Sequence, residues 1–392
     1  PLPYIPAATA MVIPVHVDAS GVIVLWVGRL GSLAAYLALA WAAVRSAARF
    51  RWTLVVGALL PLNLSLGSSV SPDGLTIASL LVVLSMWTRV EEDESVPAWQ
   101  LVGGTLLLAL AKPPYFLVLA LFPFSAVRRR SAPRIRAAWA AAGAMVAGLA
   151  ATLANASDNY RAVTTTLMES IEYQPGTQRD RLLADLPGFL WAAVSTWVSE
   201  FHFYVQNWFR QLGSWEADFP AVASWACLAV LVTAALRLDG DDYRRCRGLQ
   251  RSVIAVGAIC MLVVLYASSH VYFTDRADYA TIGLQMARYA APLTALALIG
   301  WAPRLPAGRP ALTGWLSRRE AKAALAAAVT VPVLGSAATW RGIFLRKMNR
   351  GHLMWSPRRR KCPAFMFAAC SWRPIWRSMR RYSWAAGQEW RK

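Results

Sequence analysis

Asn63-Leu-Ser-Leu-Gly-Ser-Ser-Val-Ser-Pro-Asp-Gly74 joins two long apolar runs and ends in a helix start that carries a carboxylate. Serine before proline is driven out of the helical region, and proline fits the first helical turn. Asp73 then falls where the helix dipole favours an anion. If both flanking runs cross a membrane, Asp73 lies at a lipid boundary, where an acid is costly without a purpose or a partner. The residue types leave two readings open: an acid that serves a site, or one that caps its own helix.

Working outward, the whole chain has the same character. Of its 392 residues 57% are hydrophobic and only 16% charged, against about 25% charged in soluble domains. A mean hydropathy of +0.38 and repeated apolar runs of transmembrane length indicate a polytopic membrane protein. Five cysteines form no close ligand pair or disulfide framework, and four histidines make no zinc motif.

The net charge of +20 is unevenly placed. From Arg341 onward 14 Lys and Arg face one acid, Glu389, so +13 sits in the tail. The preceding 340 residues carry 27 basic and 20 acidic side chains, the remaining +7. That excess suits the positive-inside rule and calls for no nucleic-acid partner.

Hydropathy predicts an all-α bundle of about 9–10 spans. Residues 1–20 read as a Pro-rich loop that lacks an initiator Met, as in a fragment missing its true N-terminus. Expected spans are Gly21–Val44, Trp52–Ser68, Leu75–Trp87, Val96–Ala111 and Phe116–Val127. Ala137–Ala154, Phe219–Leu236, Val253–Ser268, Tyr289–Trp301 and Ala323–Ala338 follow. Basic loops around Arg49, Arg129, Arg245 and Arg318 then fall on one side, assigned to the cytoplasm. The acidic loop Arg89–Glu94 fits this side least well. A long outer loop, about 155–218, is expected to carry an aromatic interfacial helix, or a shallow re-entrant one, over Leu182–Phe209. The membrane domain is drawn as 1–340. The tail 341–392 reads as an interfacial polybasic anchor or, the favoured reading, as sequence translated out of frame.

No P-loop, dinucleotide fingerprint or nucleophile elbow occurs. The predicted topology instead gathers polar residues at the outer face: Asp73, Lys112 with Tyr115, Trp215 with Glu216 and Asp218, and Gln285 with Arg288 and Tyr289. Singly these read as snorkelling cations, aromatic belt and turn residues. Together they make a cleft with carboxylates and cations at one depth. Such a cleft suits a substrate with an apolar tail and an anionic head. Arg29 stands apart inside an apolar span, as an intramembrane ion that serves a function or pairs with an acid or a backbone carbonyl.

The ordered set Tyr4-Ile-Pro6, Val27-Gly-Arg29-Leu30, Ser71-Pro-Asp73, Ala111-Lys-Pro-Pro-Tyr115, Leu212-Gly-Ser-Trp215 and Gly283-Leu-Gln285-Met-Ala-Arg288-Tyr289 through Pro292 resembles the bacterial membrane proteins of domain of unknown function 2142. Met286-Ala287 departs from the usual Gly-Gln-Gly-Arg-Tyr wording. That family looks like a relative of glycosyltransferase superfamily C. The resemblance implies a multi-pass protein of the bacterial cytoplasmic membrane that transfers sugar from a polyprenyl-phosphate sugar at the outer face, in cell-surface polysaccharide assembly. It implies Asp73 as a second catalytic acid, the principal one lying upstream of Pro1, with Lys112, Gln285, Arg288 and Tyr289 binding phosphate or sugar. A flippase for lipid-linked saccharide and a non-catalytic assembly subunit are the alternatives. No cofactor is evident, and the need for a divalent metal stays open.

Overall fold

The computed structural model describes residues 2–112, 114–155, 175–210, 221–246, 248–273, 286–301 and 317–332. Every regular element among them is helical, with no strand. They all fall within one unit, Pro1–Thr339; the tail beyond it lies outside the described residues.

Among the described residues four helices are long and apolar enough to cross a membrane: α2 (Gly21–Ser46), α5 (Pro72–Glu91), α8 (Ala132–Asn155) and α14 (Gly248–Phe273). The chain is an all-α membrane protein. Shorter apolar helices accompany them: α1 (Ile5–His16), α6 (Ala98–Ala111), α7 (Leu121–Arg128) with the 3-10 turn Tyr115–Ala120 before it, and α12 (Ala221–Leu238).

Helix α5 is the pillar. Of its most apolar window 83% is buried, against 11% for α2, which turns Trp26, Leu30 and Trp41 outward. A helix that is apolar all round and buried belongs at the centre of a bundle, and one with an exposed apolar face belongs at the lipid. Around α5 pack α2, α6 and, further along the chain, α8. At 20 residues α5 is about 30 Å long, the thickness of a hydrocarbon core.

The opening loop expected over residues 1–20 is instead a 3-10 turn, Leu2–Tyr4, followed by α1. Pro6 lies in the first turn, where its missing N–H costs nothing. A proline-rich opening therefore reads as a loop while forming a helix. It packs on α2, Met11 against Gly28 and Ala10 against Gly31.

The single span expected over Trp52–Ser68 is two half-helices, α3 (Arg51–Leu59) and α4 (Pro61–Gly67). Pro61 is the cause: it holds Leu60 extended, at ψ 127°, and frees the carbonyl of Gly57. Asn63 heals that break by donating its amide to the Gly57 carbonyl at 2.6 Å, and to that of Ala291 at 3.3 Å. The start of α3 is capped from far along the chain. Asp239 accepts from the Trp52 and Thr53 amides and Asp242 from that of Phe50, which adopts φ 59°.

The interfacial helix expected over Leu182–Phe209 is three helices: α9 (Pro175–Ala184), α10 (Leu186–Ser199) and α11 (Phe201–Arg210). Asp185 interrupts the run by capping α10, accepting from the Gly188 amide at 3.0 Å. Helix α11 lies against α4 rather than apart from the bundle. After α13 (Gly240–Arg245) and α14, Pro292 divides the next run into α15 (Met286–Ala290), a 3-10 turn and α16 (Thr294–Trp301). The last described helix, α17, covers 318–332.

Candidate functional site

Three interruptions of membrane helices meet at one end of α5, and each adjoins proline. At the first, Ser71 is extended (φ −141°, ψ 162°) and Pro72 starts α5, placing Asp73 in its first turn. At the second, Lys112 follows α6 in an extended conformation (φ −160°, ψ 118°), with two prolines next in sequence. The third is α15, whose Arg288 and Tyr289 precede Pro292. Proline ends helices, so polar side chains beside it are displayed at a helix end rather than along a lipid-facing surface.

Asp73 is where they converge. Its side chain is only 3% exposed, and both oxygens are used. Lys112 Nζ donates to Oδ1 at 2.6 Å, while Arg288 reaches Oδ2 through Nε and Nη2. The Ser71 hydroxyl stands 3.5 Å from Oδ2 and 2.6 Å from Ser69. The Lys112 ammonium also lies over the Tyr289 ring, 4.1 Å from its centroid. The buried Tyr115 hydroxyl donates to the Tyr289 carbonyl at 2.6 Å, fixing the residue after Arg288.

A buried acid between two cations is stable because every charge finds an opposite within hydrogen-bond reach. The cap position of α5 is Ser71, whose side chain makes no cap bond, while both Asp73 oxygens are engaged by Lys112 and Arg288. Among the described residues, one carboxylate against two cations leaves one positive charge over. That charge is most accessible at Arg288, whose side chain is 42% exposed against 19% for Lys112. A carboxylate engaged by both cations is a poor proton acceptor. It is suited to hold two cations at a fixed spacing, and the exposed edge of the guanidinium is suited to an anion.

The structure therefore brings together Asp73, Lys112, Tyr115, Arg288 and Tyr289. Trp215, Glu216, Asp218 and Gln285 lie outside the described residues. Arg29 is near but separate: its Nε donates to the Ser68 carbonyl at 3.0 Å and its guanidinium covers Trp26 at 5.3 Å, which fastens α2 to the end of α4. Among the described residues no group of three His, Cys, Asp or Glu side chains is placed to hold a metal.

Tyr4 was not among the expected site residues. The 3-10 turn that carries it packs on α5 and α6, and Tyr4 lies within the electrostatic field of Asp73 and Arg288. The sequence signal was Tyr4-Ile-Pro6 itself, whose proline disguised a helix start as a loop.

The family model described as predicted membrane protein (DUF2142) matches residues 1–297, which takes in every residue of this cluster. No curated protein and no solved structure matches the chain.

Proposed function

The chain belongs to the DUF2142 family of membrane proteins, and from that premise we propose that the Asp73 cluster recognises the phosphate of a lipid-linked substrate, in a glycosyl transfer that uses a polyprenyl-phosphate sugar. One observation carries this reading. A buried carboxylate orients two cations and leaves a net positive charge at the exposed edge of Arg288. An anionic head beside an apolar tail meets complementary chemistry there, because the neighbouring helices present an apolar surface to lipid.

In the proposed reaction the acceptor hydroxyl oxygen attacks the anomeric carbon as the bond from that carbon to the phosphate oxygen breaks. Polyprenyl phosphate leaves with the electron pair, and the hydroxyl proton passes to a base. Arg288 and Lys112 stabilise the charge that develops on the departing phosphate. Asp73 is assigned the role of positioning those cations, since its oxygens are already engaged. Tyr115 positions Tyr289, and with it the segment bearing Arg288.

The test is transfer from a polyprenyl-phosphate sugar in proteoliposomes, comparing wild type with Arg288→Ala and Arg288→Lys. The Ala variant is expected to lose at least about tenfold in kcat/KM, with partial recovery in the Lys variant. Unchanged turnover in both would refute the assignment. Lipid translocation without transfer would favour a carrier for the same substrate.

A further inference from the structure

The opposite end of α5 carries a second polar centre. Glu91, the last residue of α5, is 18 residues from Asp73, or about 27 Å along the helix. Its carboxylate accepts from the Ser125 hydroxyl, the Gln250 amide and Arg128. Arg134, only 1% exposed, donates through Nη2 to the Glu91 carbonyl at 2.7 Å and through Nε to Asp93 at 3.0 Å. Arg129 reaches the other Asp93 oxygen at 3.0 Å, and Arg49 pairs with Glu92.

These groups line a cavity of about 300 Å³ at the end of the bundle where the basic loops collect. Among the described residues five arginines face three carboxylates around it, two positive charges in excess. Arg134 and Arg128 are held inside the wall by Asp93 and Glu91, whereas Arg129 and Arg245 carry exposed guanidinium groups at the cavity. An exposed guanidinium offers a planar edge of N–H donors that matches phosphate oxygens. A water claims about 30 Å³ of liquid, so the space exceeds a bare phosphate and admits one with an attached polar group. Basic pockets between membrane helices suit phosphorylated headgroups.

We propose that this cavity binds a phosphate ester, with Arg129 and Arg245 donating to its oxygens and Arg134 and Arg128 adding positive charge behind them. The site is distinct from the Asp73 cluster and does not depend on its role.

Two sources of the ester are separable in the full-length protein. Glycerol 3-phosphate binding, followed by calorimetry in detergent, reports a soluble ligand. Retention of phosphatidylglycerol over phosphatidylcholine, read by native mass spectrometry from nanodiscs, reports a lipid headgroup. In either arm Arg245→Glu and Arg129→Glu are expected to weaken binding about tenfold or more, while Arg179→Ala, at an exposed cation outside the cavity wall, leaves it unchanged. Arg245 and Arg129 are both exposed, so the second variant keeps the test open if one fails to fold. Failure of both ligands to bind overturns the proposal. So does equal binding by Arg245→Glu and wild type, or an equal loss with Arg179→Ala.

Discussion

Replacing Asp73 by Asn keeps the side-chain volume and removes the one negative charge beneath two cations. Lys112, 19% exposed and held over Tyr289, is then left without a counter-ion. Arg288, 42% exposed, turns its guanidinium toward solvent or headgroups, so its share of the penalty is screened. Breaking a buried pair from one side costs about 3–5 kcal/mol, and the exposure of Arg288 places Asp73→Asn near 3 kcal/mol. Lys112→Met leaves Asp73 paired with Arg288 and is expected to cost about 1–2 kcal/mol. The double variant removes both charges and should cost at least about 1 kcal/mol less than the two single losses together. Unfolding free energies from dodecyl sulfate titration in mixed micelles, read by tryptophan fluorescence, give all three numbers. An Asp73→Asn loss within about 0.5 kcal/mol of zero, or strict additivity in the double variant, would refute the shared-carboxylate argument.

Gly74→Ala places a Cβ 2.7 Å from the Gly67 Cα and 2.9 Å from the Leu66 carbonyl oxygen, so α4 and α5 must part. The expected loss is about 1–3 kcal/mol by the same titration, whereas Gly103→Ala, with nothing within 4 Å, should gain up to about 1 kcal/mol. Asn63→Leu strips the Gly57 carbonyl of its donor and is expected to cost about 1–3 kcal/mol; a neutral result would mean that the Pro61 break needs no repair. The Ser131 hydroxyl and the Arg134 and Arg129 guanidinium groups hold the Asp93 carboxyl below its usual range. Its contribution is therefore present above the ordinary carboxylate pKa and lost as pH falls through the lowered value. The stability gap between wild type and Asp93→Asn should be constant above about pH 5 and close below about pH 4. A gap that widens on acidification would reverse the sign of the argument.

Span positions were legible because hydrophobic length is a strong one-dimensional signal, and α2, α5, α8 and α14 carry it openly. Breaks were less legible. Pro61 sits in an apolar run whose hydropathy is unaffected by one missing N–H, so α3 and α4 read as a single span. Pro6 is as helix-compatible as it is loop-like, and only the α2 surface against it decides. The acidic loop Arg89–Glu94 fits its side poorly when charge is counted by segment, whereas its acids meet Arg49, Arg128, Arg129 and Arg134 from other segments. For the Asp73 cluster, topology sufficed to bring Lys112 and Arg288 to the depth of Asp73. It could not say that one carboxylate would take both cations, since pairing depends on where three proline-flanked helix ends point. Tyr4 was hidden by the same ambiguity as α1.

The spacing of the three charges along the chain also sets an order of assembly. Lys112 follows Asp73 by 39 residues and Arg288 follows it by 215. As the polypeptide enters the bilayer, α5 and α6 can insert as a hairpin whose acid and ammonium cancel, sparing a lone carboxylate the cost of lipid exposure. The arginine arrives long after that neutral pair has formed, so the cluster becomes cationic only when α15 docks. The charge that makes the site attractive to an anion is thus absent from the nascent bundle and acquired with its closure.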